Sequence, residues 1–257
     1  MSKTKTKPVN DAKSIFVANV KGGVGKSTLS IMLARELATR IPAQNITVID
    51  TDLQRTATEF LTNSNPEINL EFLPVTPAFE NTNISLIQQF IKQNQFRPGH
   101  VVIVDTPAGS SQRLWNLVAE GYAVLIPTTL SNADLLPTET FIRNMDKVKA
   151  RYGKYHPHLV VCPNKIPFGQ KDFSIMADRL NNHDVVIGPA LRDLASVRHF
   201  YNGKFENWEG KSNKNANSDF EQFGSFVEKY ILDGELDKIY NKNNSSKNVI
   251  PFGKVIN

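Results

Sequence analysis

Short runs of β-branched and apolar residues alternate along this chain with longer stretches in which apolar positions recur at helical spacing. The short runs predict strands over Ser14–Val20, Ile46–Ile49, Leu70–Val75, Val101–Val104, Ala123–Pro127, Leu159–Pro163 and Asp184–Ile187. Several are apolar almost throughout, the form of strands covered by helices on both faces. The longer stretches predict helices over Ser27–Arg40, Leu53–Asn63, Asn83–Gln95, Ser110–Glu120, Asp134–Tyr152, Asp172–Asn181, Arg192–Tyr201 and Asp219–Asp233. In the first of these Leu29, Met32, Leu33 and Leu37 share one face, so Met32 is read as core, and Pro42 stops the helix. The alternation predicts an α/β fold, a doubly wound and mostly parallel sheet with helices on both faces. The preferred organisation is one domain over 14–240, between a disordered basic tail over 1–13 and a disordered tail over 241–257. Asn202–Asn217, polar and rich in Asn, Gly and Lys, is expected to be a mobile surface loop.

A chain of 257 residues buries enough surface on folding to need no covalent staples. The single cysteine, Cys162, excludes an internal disulfide and any all-cysteine metal site within one chain, and its apolar neighbours make it a buried small residue. No apolar run approaches the length of a bilayer span, and the polar, lysine-bearing start lacks a signal-peptide continuation, so a cytoplasmic protein is expected. The net charge of +5 suggests a polyanionic partner. Its later basic cluster, Arg192, Arg198, Lys204, Lys211 and Lys214, is a candidate nucleic-acid surface.

The chemistry starts at residues 21–28, Lys-Gly-Gly-Val-Gly-Lys-Ser-Thr, between a strand and a helix. Gly22, Gly23 and Gly25 allow a backbone that turns successive N–H groups, including that of Val24, toward an anion. Lys26 supplies a point charge for the outer phosphates, and the Ser27 hydroxyl at the helix start suits Mg²⁺. The octet is therefore a phosphate-binding loop, and the fold is that of a P-loop NTPase. Val20 stands where the plain pattern has glycine, and Lys21 is an added cation. Asp105 ends an apolar strand in the manner of a Walker B carboxylate. Asp50 and Asp52, two residues apart, project from one side of an extended chain beside it and can hold the cation or the attacking water.

Together the octet, Asp50-x-Asp52-x-Gln54, Asp105-Thr-Pro107 and Ile126-Pro127-Thr128 resemble the ParA/MinD family of deviant Walker A ATPases, over roughly Ser14 to Gly203 and closest to its ParA branch. The resemblance implies ATP and Mg²⁺ as cofactors and a homodimer that sandwiches ATP, with Lys21 reaching the partner's phosphates. It implies that Lys26 and Ser27 hold phosphate and Mg²⁺, Thr28 the α-phosphate and Asp52 the attacking water, with Asp50 and Asp105 supporting the cation. Pro163-Asn164 is similar to the family's adenine-reading position, where an amide offers one donor and one acceptor to the base edge. Leu53 and Arg55 depart from the proline and glycine common there, which leaves Arg55 either a phosphate or partner contact or an exposed side chain.

The function so implied is a partner-stimulated ATPase whose dimer binds DNA non-specifically and segregates a plasmid or mobile-element cargo. Arg192, Arg198 and Lys204 are the candidate DNA contacts, and a ParB-like activator or cargo adaptor the candidate partner. Nucleoid-based positioning of a protein or conjugative-transfer assembly, similar to VirC-type relatives, is the alternative with the same chemistry. A MinD-like membrane cycle would need a C-terminal amphipathic helix with a basic face, which Asn248–Asn257 does not offer, so no stable membrane association is expected.

Overall fold

The computed structural model describes residues 12–109, 111–152, 157–193, 197, 211–242 and 250–251. Strands β1 (Lys13–Val17), β2 (Ile46–Asp50), β3 (Asn69–Phe72), β4 (Val101–Asp105), β5 (Ala123–Thr128), β6 (His158–Pro163), β7 (Val185–Ile187) and β8 (Ile250–Pro251) form one sheet in the order β3-β2-β4-β1-β5-β6-β7-β8. Every adjacent pair is parallel. Parallel neighbours need crossovers, and the helices supply them: α1 (Lys26–Ala38), α2 (Thr56–Ser64), α3 (Glu80–Asn94), α4 (Gln112–Val118), α5 (Asn132–Tyr152) and α6 (Ser174–Leu180). Helix α7 (Lys211–Phe226) runs into a π-helical turn over Val227–Leu232 and is followed by α8 (Glu235–Lys242).

Alternation along the strands sorts side chains into two layers. Ile15 and Val17 of β1 pack with Leu29, Leu33 and Leu37 of α1 and with Phe223 and Phe226 of α7. Phe16 between them packs on the other side with Leu117 of α4 and Phe141, Ile142 and Met145 of α5. Met32 and Cys162 are both buried, as the sequence predicts. The chain moves out from β1 to β2 and β3, returns to β4, and then crosses to β5. The crevice for a ligand therefore opens at the carboxyl ends of β1 and β4.

Three elements differ from the sequence reading. Strand β1 stops at Val17, and residues 18–25 carry the chain through the first part of the phosphate loop to α1. Lys211–Asn217, expected as part of a loop, is the first two turns of α7, fixed by buried Ala216 and by the anchoring of Asp219. At the other end, Asn241 and Lys242 close α8, and Ile250–Pro251 add a short parallel edge to β7 inside the segment expected to be disordered. The tail over 1–11, the segment from Tyr201 to Gly210 and most of the Arg192–Tyr201 helix lie outside the described residues. Among the described residues, no helix is long and apolar enough to cross a membrane.

Candidate active site

Beyond β1 the chain turns through Gly23 (φ 76°) and Gly25 (φ 93°) and enters α1 at Lys26. Gly25 is the residue before the helix, and no side chain caps the helix there. No acidic residue stands in its first turn. The leading N–H groups of α1 thus face the crevice with the positive end of the helix dipole behind them, the arrangement that takes an anion. Lys26 is buried, and its Nζ donates to the carbonyl of Lys21 across the loop at 3.1 Å. Burial holds its ammonium below the ordinary lysine range, against the attraction of Asp105 and Asp52.

The three aspartates have separate roles. The β2–β4 register sets Asp50 directly beside Asp105. Asp50 accepts from the Asp52 N–H at 3.1 Å, the Thr58 N–H at 2.9 Å and the Thr58 hydroxyl at 3.0 Å. Its carboxylate caps the start of α2, although burial raises its pKa. Asp105 is fully buried, and its Oδ1 accepts from the Ser30 hydroxyl at 2.9 Å. The Ser27 hydroxyl also bonds this carboxyl, yet Oδ2 has no hydrogen-bond partner among the described residues. Burial pushes its pKa to about 7, with the neighbouring Asp50 charge adding to the rise. A buried, half-satisfied carboxyl beside a helix-start hydroxyl is a donor set that fits a hard cation such as Mg²⁺. Asp52 is only partly buried, bonds the Gln54 N–H at 3.0 Å and lines the cleft.

That cleft, of about 490 Å³, is lined by Gly22, Gly25, Lys26, Thr28, Asp52 and Lys165 among others. Of the residues named from sequence, the three loop glycines, Lys26, Ser27, Thr28 and Asp52 line it, whereas Asp50 and Asp105 are buried and reach the site only through their neighbours. Lys21 stands at its rim with 41% of its side chain exposed, its Nζ 3.8 Å from Asp134 Oδ1 at the start of α5. Pro163 ends β6, and Asn164 follows with its Nδ2 donating to the Val24 carbonyl at 2.8 Å. Arg55, left open by sequence, takes φ 54° and lays its guanidinium 4.6 Å from the centre of the Phe72 ring.

Two groups of residues were not singled out from sequence. The first is Asn19, whose Nδ2 donates to the Pro127 carbonyl at 3.0 Å and to Thr138 Oγ1 at 2.8 Å, while its Oδ1 accepts from the Lys21 N–H at 3.1 Å. The second is Lys165, whose Nζ reaches the Gly23 carbonyl at 2.7 Å. A polar residue between an apolar strand and a glycine loop was the available signal for Asn19, and position at a strand end the signal for Lys165.

The proposed DNA contact Arg192 has another engagement. Its guanidinium bonds Asp219 at 2.6–3.0 Å and the Asn215 carbonyl at 2.9 Å, fastening α7. Arg198 and Lys204 lie outside the described residues.

The AAA domain family matches residues 12–152. A ParA protein of Rhizobium radiobacter is 32% identical over 114 residues, 44% of this chain and 47% of that protein. The chain spans about half the length of this curated relative. Among solved structures, MinD of Aquifex aeolicus superposes with a TM-score of 0.64 at 16% identity, covering 84% of this chain and 96% of that one. An ATP complex of McdA from Cyanothece gives 0.62 at 16% identity, covering 85% and 95%. At such identity these two speak for the fold alone.

Proposed function

The chain belongs to the AAA domain family, and within it to the ParA/MinD group of deviant Walker A ATPases, and we propose from that premise that it is an ATP-switched dimer that binds DNA non-specifically and distributes a DNA cargo. The observation that carries the reading is the asymmetry between two lysines. Lys26 is buried under the loop, whereas Lys21 stands exposed at the rim on a long 3.8 Å contact to Asp134. A contact of that length from an exposed ammonium to a half-buried carboxylate is worth about 1 kcal/mol or less, so Lys21 is cheaply released toward a facing protomer.

In this reading the N–H groups from Gly22 to Thr28 hold the phosphates of ATP, and Lys26 holds the outer two. Ser27 and Asp105 would hold Mg²⁺, which would supply positive charge to offset that of the polyphosphate. Asp50 keeps its capping bonds to Thr58 and acts on the cation site only as a neighbouring charge. Asp52, tethered at one oxygen by the Gln54 N–H, orients a water for in-line attack on the γ-phosphorus; the P–O bond to ADP breaks, and the water's proton passes to solvent or phosphate. Lys21 of each protomer stabilises the charge developing on the other's transferred group. Hydrolysis then separates the dimer and releases DNA, and a ParB-like activator or cargo adaptor sets its rate.

Light scattering of the purified protein with ATP tests this. A mass that doubles with ATP and not with ADP, and that stays monomeric in Lys21→Ala, is expected. A monomer under all conditions overturns the dimer reading.

A further inference from the structure

Lys165 does not figure in the octet, the aspartates or the base-reading position, yet its side chain bonds the backbone of the phosphate loop directly. Its Nζ donates to the Gly23 carbonyl at 2.7 Å across 142 residues of sequence. Its neighbour Asn164 donates to the next carbonyl, Val24, at 2.8 Å. Two consecutive side chains at the end of β6 therefore pin two consecutive carbonyls of the loop. A trans peptide holds its N–H opposite its C=O, so fixing these two carbonyls fixes the directions of the Val24 and Gly25 N–H groups. Those are donors the loop must aim at phosphate.

The backbone at Lys165 supports a dedicated role. Among the described residues only Arg55 and Lys165 combine a side chain with positive φ, both at 54°, and both follow strands that end at the crevice. A left-handed lysine is held against a steric penalty, and such strain collects at functional sites. The turn that carries it is secured on both sides: the Asn164 N–H bonds the Thr128 carbonyl at 2.7 Å, and the Ile166 N–H bonds the Leu191 carbonyl at 3.0 Å. Lys165 also lines the cleft beside Gly22, Lys26 and Thr28.

We propose that Lys165 is a positioning residue for the phosphate loop, holding the Gly23 carbonyl so that the loop is shaped for a nucleotide polyphosphate before the nucleotide arrives. The inference rests on the nucleotide reading given above, and it acts through Gly23 without contact to the reacting atoms. Because the shape serves bound substrate and transition state alike, losing Lys165 weakens binding of ATP and ADP together and raises KM with little change in kcat.

The test measures ATP and ADP affinity by fluorescent-analogue competition, with steady-state ATPase rates and the nucleotide-free Tm, for wild type, Lys165→Gly, Lys165→Met and Lys165→Arg. Glycine removes the anchor but suits the left-handed backbone, so Lys165→Gly is expected to keep or raise the Tm while binding both nucleotides about tenfold more weakly. Methionine keeps the aliphatic stem and loses the donor, so it weakens binding as glycine does; arginine keeps a donor and restores most of the affinity. Wild-type affinity in Lys165→Gly and Lys165→Met, or a loss that arginine does not restore, overturns the assignment. Failure of the wild type itself to bind ATP overturns the nucleotide reading instead, and this inference with it.

Discussion

The Nδ2 atom of Asn164 lies 2.4 Å from where a Cβ on Gly25 would stand. The contact joins the end of β6 to the last residue before α1, and it requires glycine twice over, because φ is 93° there. Gly25→Ala has to displace the amide from its bond to Val24, strain the left-handed backbone, or both. A cost of about 2 kcal/mol in the denaturation midpoint is expected, with ATP affinity lowered at least tenfold. Gly23→Ala is the comparison: φ is 76° but nothing lies within 4 Å of its Cβ, so backbone strain acts alone and the effect is smaller.

Asn19 ties Lys21 to helix α5. One amide bonds the Lys21 N–H, the Pro127 carbonyl and Thr138, while Asp134, a turn earlier on α5, bears the Lys21 side-chain contact. Asn19→Ala leaves a buried N–H, a carbonyl and a hydroxyl short of a partner, at about 1–3 kcal/mol. Thr138 Oγ1 is also 2.7 Å from the Asp134 carbonyl and 3.0 Å from Thr128 Oγ1, so Thr138→Val removes three contacts as well and is expected to cost about as much as Asn19→Ala. Urea midpoints read the stability. The dimer fraction at saturating ATP reads the register of Lys21, and Asn19→Ala is expected to lower it beyond what the stability loss accounts for.

The loop and the aspartates were legible in the sequence because each is a local pattern: a glycine octet, or a carboxylate at the end of an apolar run. Asn19 with Thr138 and Lys165 with Gly23 are 119 and 142 residues apart, and no local pattern records such pairings. Composition also misled over Lys211–Asn217. Its asparagines and lysines read as loop, but burial of Ala216 and the Arg192–Asp219 pair override weak helix propensity. Helix α8 was missed for a related reason. Its anchor is Asp237, which takes the Tyr122 hydroxyl at 2.7 Å and faces His158 at 2.8 Å, contacts made with distant strands.

Asp105 carries a burial cost that a cation would relieve. Among the described residues its Oδ2 has no hydrogen-bond partner, and its pKa is pushed up to about 7. Asp105→Asn removes the charge and keeps an acceptor for Ser30. The nucleotide-free protein is therefore expected to melt higher, by about 2–4 °C for each kcal/mol recovered. The further rise that Mg²⁺ adds to ATP in the wild type should vanish in the variant. Differential scanning calorimetry with and without Mg²⁺ gives both results, and a variant that melts lower without nucleotide contradicts the expectation.

Glu139 on α5 is the centre of an ion network. Arg179 Nη1 donates to Oε2 at 3.1 Å, Arg143 bonds Oε1, and His183 Nε2 is 3.8 Å away. Although burial opposes it, the two arginines bring its pKa below the ordinary glutamate value. A depressed carboxylate contributes stability above its unfolded pKa and loses it as the pH falls through the folded one. Glu139→Gln should thus be less stable than wild type at neutral pH, by about 1 kcal/mol after allowance for partial exposure of the arginines, and equal to it at the acid end. Melting curves across the carboxylate range read the convergence.

Arg192 separates a structural cation from a DNA contact. Its guanidinium already makes three bonds to the Asp219 carboxylate and one to Asn215, and its backbone N–H bonds Asp219 at 3.0 Å. Arg192→Ala strands a largely buried Asp219 and loosens α7 from the loop after β7, at about 2 kcal/mol. If DNA binding draws on other cations, the slope of log affinity against log salt stays at the wild-type value, since no phosphate contact is lost. A slope lower by about 1 would return Arg192 to the DNA surface. Arg198→Glu and Lys204→Glu, made in parallel, are expected to lower the slope, which assigns the phosphate contacts to those two residues.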